Sequence, residues 1–91
     1  MDLEKLRIFL AVAECGSFSR GARSLYISHS TTSRAVAALE EELGVRLLER
    51  GNHVLGPTAA GEVLLREGRS LLQQAEDTAA RVRAAGEKQG K

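Results

Sequence analysis

Residues 28–44 read SHSTTSRAVAALEEELG, one helix written in two unlike halves. The front carries His29, Ser30, Thr31, Thr32, Ser33 and Arg34, a dense set of hydrogen-bonding groups with no carboxylate, while Glu40, Glu41 and Glu42 crowd the back. Local preference argues against this order. Ser and Thr form helices poorly, and carboxylates near a C-terminus face the negative end of the helix dipole. The apolar spacing is what marks a helix: Val36, Leu39 and Leu43 recur at intervals of 3 and 4, extended back by four to Thr32, whose methyl is expected to pack. Ser28 stands where a cap is wanted and Gly44 supplies the stop. A polar front without negative charge suits an acceptor-rich or anionic partner.

Upstream, DLEKLRIFLAVAECG places Leu3, Leu6, Leu10 and Ala13 at spacings of 3, 4 and 3, with Phe9 on the same stripe and Asp2 and Glu4 in the first turn. This predicts an amphipathic helix stopped by Gly16. Ser17 is an N-cap candidate for a second, shorter helix over FSRGARSLY, where Phe18, Ala22 and Leu25 share a face. Gly21 weakens that helix by about 1 kcal/mol relative to Ala; close approach of another backbone and drift without consequence both account for it. Ile27 and Ser28 then lead into the third helix, so helices two and three meet across a tight turn.

Downstream, VRLLERGNHVLGPT changes character: Val45, Leu47 and Leu48 precede ERGNH, and Val54 and Leu55 precede Gly56 and Pro57. Two short strands joined by a Gly/Asn turn fit this segment. Thr58 is an N-cap candidate, and from Ala59 to about Ala85 only Gly61 and Gly68 weaken a helical run of some 26 residues. Within it Leu65, Gly68, Leu72, Ala75, Ala79 and Val82 alternate spacings of 3 and 4, the seam of a helix packed lengthwise on another. The helix either folds back on its own domain or pairs with a second copy. Self-association is expected, because the first three helices are too short to cover it. The sequence thus divides into a unit over 1–57, a long helix over 58–85 and a frayed polar tail over 86–91.

At 91 residues there is room for one domain with a modest core, above the roughly 40 residues below which staples are usually needed. Hydrophobic residues make up 43% of the chain, with no apolar run near the roughly 20 residues that span a bilayer. Residues 1–14 alternate apolar and charged positions, unlike a secretory signal, so a cytoplasmic, soluble protein without membrane association is expected. Cys15 is the single cysteine, and with only His29 and His53 beside it the chain lacks the ligands for a structural zinc site; no metal and no cofactor is expected. A formal net charge of +1 neither requires nor excludes nucleic acid, so an anion-binding surface must come from local placement of Arg34, Arg46 and Arg50. No Ser/His/acid or Cys/His set and no Gly-rich phosphate loop is present, and a small helical domain offers little pocket; an enzyme is not expected.

Three short helices, a tight turn between the second and third, and a two-stranded ribbon make a winged helix-turn-helix, a mainly α unit that places its second motif helix in the DNA major groove. Phosphates repel carboxylates and base edges offer donors and acceptors, so the inserted turns should be rich in Ser, Thr, His or Arg and free of Asp and Glu. The front of 28–44 meets that requirement, and its helix N-terminus adds free N–H groups for a phosphate. At about 1.5 Å per residue the chain has risen roughly 15 Å between Ser30 and Glu40, far enough for acids to be tolerated.

The blocks LRIFLAVAECGSFSRGARSLYIS, SRAVAALEEELGVRLLER and TAAGEVLL resemble the N-terminal DNA-binding domain of LysR-type transcriptional regulators, in order and spacing, over nearly the whole chain. The resemblance implies a bacterial transcription factor that binds double-stranded DNA, with a linker helix that pairs with that of a second subunit in a homodimer. An effector-binding domain follows in such proteins, and no small-molecule effector site is expected within these residues. Carried over by position, the family's base-reading region falls on residues 29–34, with Ser28 at its start; phosphate contacts fall on Ser17 and Ser19; wing contacts fall on Arg50, Asn52 and His53 within residues 50–54. Arg34 and Ser33 match the usual residue types. His29 stands where Gln is common, Ser30 where Pro is, Thr32 where an aliphatic residue is, and His53 where the wing offers Arg, which implies an altered operator preference. A Gln can bond adenine bidentately, whereas a His gives one donor at a time to an acceptor such as guanine N7.

A competing reading makes the chain a protein-interaction module, its long helix pairing with another regulator and the Glu40–Glu42 cluster facing a protein. A nucleic-acid binder would lose affinity steeply with salt; an interaction module would not.

Overall fold

The computed structural model describes residues 1–51 and 56–89. Four helices follow one another: α1 (Leu3–Cys15), α2 (Phe18–Ser24), α3 (His29–Leu43) and α4 (Ala59–Gln89). Each start is set by a side chain that satisfies an orphan backbone donor. Asp2 accepts from the Glu4 N–H, Ser17 from Arg20 and Ser28 from Thr31, and the Thr58 hydroxyl accepts from the Gly61 N–H at 3.0 Å. α1 and α3 both end on a left-handed glycine, Gly16 at φ 71° and Gly44 at φ 72°.

The core lies where α1 meets the other elements. Leu6, Phe9, Leu10 and Val12 of α1 pack with Val36 and Leu39 of α3, with Leu47 and Leu48 of the following segment, and with Leu64 of α4. Two expected core residues are not in it. Leu3 is 42% exposed and Leu43 43% exposed; both stand at helix ends that run past the layer they were expected to cover. The buried arc of α3 instead comprises Thr32, Ala35, Val36, Leu39 and Glu40. Thr32 is fully buried, and its hydroxyl donates to the Ser28 carbonyl at 2.9 Å.

Gly21 of α2 is explained by close approach. A Cβ there would stand 2.8 Å from Val12 Cγ2 and 2.9 Å from its Cα, so α1 and α2 touch backbone to backbone. α2 stops at Ser24, two residues short of the expected Tyr26. The chain turns at Leu25, Tyr26 takes a left-handed φ of 59°, and the Ile27 N–H returns to the Ala22 carbonyl at 3.0 Å. That turn sets the angle between α2 and α3.

Beyond α3, residues 47–49 meet residues 56–58. Leu48 and Pro57 form an isolated antiparallel bridge, flanked by Glu49 N–H to Gly56 O at 2.7 Å and Thr58 N–H to Leu47 O at 3.0 Å. Among the described residues no strand forms, so the expected two-stranded wing is not seen and an isolated bridge stands in its place. Asn52, His53, Val54 and Leu55 lie outside the described residues.

α4 extends to Gln89, four residues beyond the expected end at Ala85, so Gly86 does not begin a frayed tail as far as Gln89. One glycine costs a helix only about 1 kcal/mol, and Glu87, Lys88 and Gln89 are good helix formers. The first half of α4 lies along α1. Gly68 is buried, with a hypothetical Cβ 2.8 Å from Leu6 Cδ1 and 3.5 Å from Leu10 Cδ2, and Leu65 and Leu72 pack against the core. Arg69 to Glu14 at 2.9 Å and Arg7 to Glu76 at 3.9 Å tie the two helices at the surface. Folding back on the chain's own domain therefore accounts for Leu65, Gly68 and Leu72. Ala75 and Ala79 are half-buried, and Val82 is 65% exposed.

Candidate nucleic-acid interface

The opening turns of α3 present their polar side chains outward. His29, Ser30, Thr31 and Arg34 are exposed and Ser33 is half-buried. The burial of Thr32, Ala35, Val36 and Leu39 turns Ser30, Arg34 and Ala37 away from the core, with Ser33 at the edge of the buried arc, while His29, three before Thr32 and seven before Val36, shares the buried row and is exposed because it stands at the helix start. The front carries no carboxylate until Glu40.

Ser28 organises the entrance. Its Oγ accepts from the Thr31 N–H at 3.0 Å and donates to Thr31 Oγ1 at 2.8 Å, with Ser30 Oγ 3.4 Å away. The Ser28 hydroxyl is thus engaged within the chain, while Ser30 and Thr31 keep hydrogen-bonding capacity toward solvent. Ser17 is similarly occupied, accepting from Arg20 N–H at 3.2 Å at the start of α2, and Ser19 beside it is exposed.

The two arginines expected at the interface differ in environment. Arg34 enters no ion pair among the described residues. Arg50 donates from Nη2 to Glu40 Oε1 at 2.8 Å, and its guanidinium carbon lies 5.7 Å from the centroid of the Phe18 ring. The same ring lies 5.9 Å from the His29 imidazole, tilted by 48°. Asn52 and His53, the other expected wing contacts, lie outside the described residues.

Glu40 departs most from the sequence reading, which groups it with Glu41 and Glu42 as an acidic end clear of DNA and suited to a protein partner. Glu40 is 8% exposed. Its Oε2 accepts from the Leu47 N–H at 2.8 Å and the Leu48 N–H at 3.4 Å, while Oε1 takes Arg50, with Arg46 at 3.8 Å. A buried carboxylate needs such partners, and here they fasten the segment after α3 onto α3 itself. The signal was present in the sequence: Thr32, Val36 and Glu40 stand four apart on one helical row. Glu42 meets the N-terminal ammonium of Met1 at 3.2 Å, and both Glu41 and Glu42 are exposed.

Comparison with known proteins agrees with this architecture. Residues 3–62 match the model of the bacterial regulatory helix-turn-helix proteins of the lysR family. The chain is 48% identical over 73 residues to the probable HTH-type transcriptional regulator LrrA of Synechococcus elongatus, covering 80% of this chain and 25% of that protein. It is 44% identical over 85 residues to the HTH-type transcriptional regulator ClcR of Pseudomonas putida, covering 93% of this chain and 29% of that one. The chain therefore spans under a third of the length of these two relatives. Among solved structures, the CbnR_DBD–DNA complex superposes with a TM-score of 0.91 at 40% identity, covering 94% of this chain and 99% of that chain. The BenM_DBD/benA site 1 DNA complex gives 0.89 at 35% identity, covering 93% and 99%. No helix among the described residues is long and apolar enough to cross a membrane. With the family model matched over most of the chain and the four helices shared with these neighbours, this chain belongs to the LysR family of bacterial regulatory helix-turn-helix proteins.

Proposed function

We propose that this chain binds double-stranded DNA sequence-specifically, as the DNA-binding part of a LysR-type transcriptional regulator, with α3 in the major groove. The observation that carries this reading is the carboxylate-free front of α3, where exposed His29, Ser30, Thr31 and Arg34, the last unpaired among the described residues, and half-buried Ser33 stand on a helix anchored by Thr32, Val36 and Leu39. Such a surface offers hydrogen bonds to base edges and one fixed positive charge, and repels no phosphate. Two neighbours of the same fold were crystallised with DNA, which supports the reading.

On this reading the ribbon leading to residues 50–54 forms a two-stranded wing that brings Arg50, Asn52 and His53 to the minor groove or backbone, and Ser17 and Ser19 approach a phosphate at the start of α2. A second copy joins along α4, through Ala75, Ala79 and Val82 together with Leu71, which is 43% exposed. The chain acts in the cytoplasm and by binding, consistent with relatives named as transcriptional regulators. The interaction-module alternative loses one of its three acidic residues, since Glu40 is paired internally and only Glu41 and Glu42 stay exposed.

Selection of bound sequences from a random duplex library tests the proposal. The expected result is a two-fold-related pair of half-sites whose spacing reports the dimer geometry, with affinity falling steeply as salt rises. Binding without sequence preference and indifferent to salt would reject it.

A further inference from the structure

Phe18 is the first residue of α2, with its ring packed against the core cluster and half-buried. Two groups from distant parts of the chain converge on that ring. The Arg50 guanidinium lies 5.7 Å from its centroid and the His29 imidazole 5.9 Å from it. Arg50 is itself held, by 2.8 Å to Glu40 Oε1, and Glu40 is held by the backbone N–H groups of Leu47 and Leu48. A chain of fixed contacts thus runs from the back of α3, through the ribbon base and the Phe18 ring, to the first residue of α3.

His29 is exposed, and an exposed imidazole on a helix is free to rotate about its two side-chain torsions. A histidine that discriminates between bases must aim one ring nitrogen at one edge atom, and hydrogen-bond energy falls steeply with misalignment. Something has to hold the ring, and Phe18 stands beside it at aromatic-pair distance and tilt.

We infer that Phe18 is a positioning residue for base discrimination: its ring, braced by Arg50, sets the orientation of the His29 imidazole, so the preference read by His29 depends on a side chain that need not touch DNA. The inference rests on the proposed placement of α3 in the major groove. It gives Arg50 a role through Phe18 in addition to any contact of its own.

The test compares the wild-type chain with Phe18→Leu, Phe18→Tyr, His29→Ala and the Phe18→Leu/His29→Ala double variant, by competition among duplexes differing at single base pairs of the selected site. Phe18→Leu is expected to lower discrimination about threefold to tenfold, the range an aromatic pair supplies, at the same base pair that His29→Ala relaxes. It should leave affinity for unrelated duplex nearly unchanged. Phe18→Tyr keeps the ring and should keep the preference, and in the His29→Ala background Phe18→Leu should change it no further. An unaltered preference in Phe18→Leu, or equal weakening at every base pair, overturns the inference. So that folding of Phe18→Leu does not decide the matter, NMR of the wild-type chain should show cross-relaxation between Phe18 ring protons and the His29 ring; its absence also overturns it. A wild-type chain that selects no sequence rejects the DNA-binding reading and this inference together. A selective wild type with an indifferent Phe18→Leu rejects the inference alone.

Discussion

The carboxylate of Glu40 and the guanidinium of Arg50 meet at 2.8 Å, and the carboxylate end of that pair is 8% exposed. One glutamate thereby holds residues 47–50, the segment after α3, to α3 through a charge and two backbone N–H groups. Glu40→Ala should cost about 2–3 kcal/mol in urea unfolding, because two N–H groups and a cation lose their acceptor. The figure sits below that of a fully buried pair since Arg50 is 36% exposed. Glu40→Gln keeps an acceptor and should cost about 1 kcal/mol. A neutral Glu40→Ala would show that residues 47–50 are held by their apolar contacts alone.

Gly21→Ala sets two effects against each other. Alanine favours the helix by about 1 kcal/mol, yet its Cβ would stand 2.9 Å from the Val12 Cα, a backbone atom that cannot yield as a side-chain tip can. Overpacking should win, with a net loss of about 1–2 kcal/mol and a lowered urea midpoint at unchanged slope. A more stable Gly21→Ala would mean that α1 and α2 separate freely.

Tyr26 holds a left-handed φ of 59° while 96% exposed, so it bears a backbone cost and gains little packing. Left-handed backbone costs a residue with a Cβ about 1–2 kcal/mol, less in asparagine. Tyr26→Asn should therefore raise stability by about 0.5 kcal/mol, visible as a higher melting temperature. A fall would assign the Tyr26 ring a packing role absent from this structure.

Arg34→Ala separates binding from folding. The side chain is exposed and unpaired among the described residues, so stability should change by less than about 0.5 kcal/mol. Discrimination at one base pair should weaken by about 1–3 kcal/mol, measured by competition between selected and altered duplexes. Retained preference would remove Arg34 from the reading surface.

Asp2 gives a pH dependence of known sign. The Glu4 N–H, and then Lys5, hold its carboxyl below its ordinary value of 3.8. A carboxyl lowered on folding stabilises the fold fully above its unfolded value and stops doing so as pH falls through the folded one. Stability of the wild type should thus fall with acidification below about pH 4 more than that of Asp2→Asn. Parallel acid profiles for the two would remove the cap from the account.

The sequence shows its helices clearly because their ends carry chemistry: Ser17, Ser28 and Thr58 as caps, Gly16 and Gly44 as stops. The polar front of α3 is legible in part from position, since burial of Thr32, Val36 and Leu39 turns Ser30 and Arg34 outward, whereas His29 lies on the buried row and owes its exposure to the helix end. Glu40 reads as a surface residue by its charge, yet its row with Thr32 and Val36 puts it inside, and its partners come from residues 47, 48 and 50, which periodicity within one helix cannot foresee. Gly68 shows the same limit. A narrow spot in a helix reveals that something approaches closely, and only the fold shows that Leu6 of α1 is what arrives. The meeting of Phe18 with His29 and Arg50 joins three segments and had no signature in spacing at all.

The contact between Gly68 and Leu6 also sets a direction. α4 continues from Gly68 to Gln89, about 30 Å at 1.5 Å per residue, so it works as a lever whose pivot is the groove left by a missing methyl group. A tilt of about 6° at that pivot moves the far end by roughly 3 Å, close to one base-pair step of duplex DNA. In a dimer joined along α4, the phasing of the two reading helices would then be tuned by the bulk of one small residue facing Leu6, far from any base it helps to select.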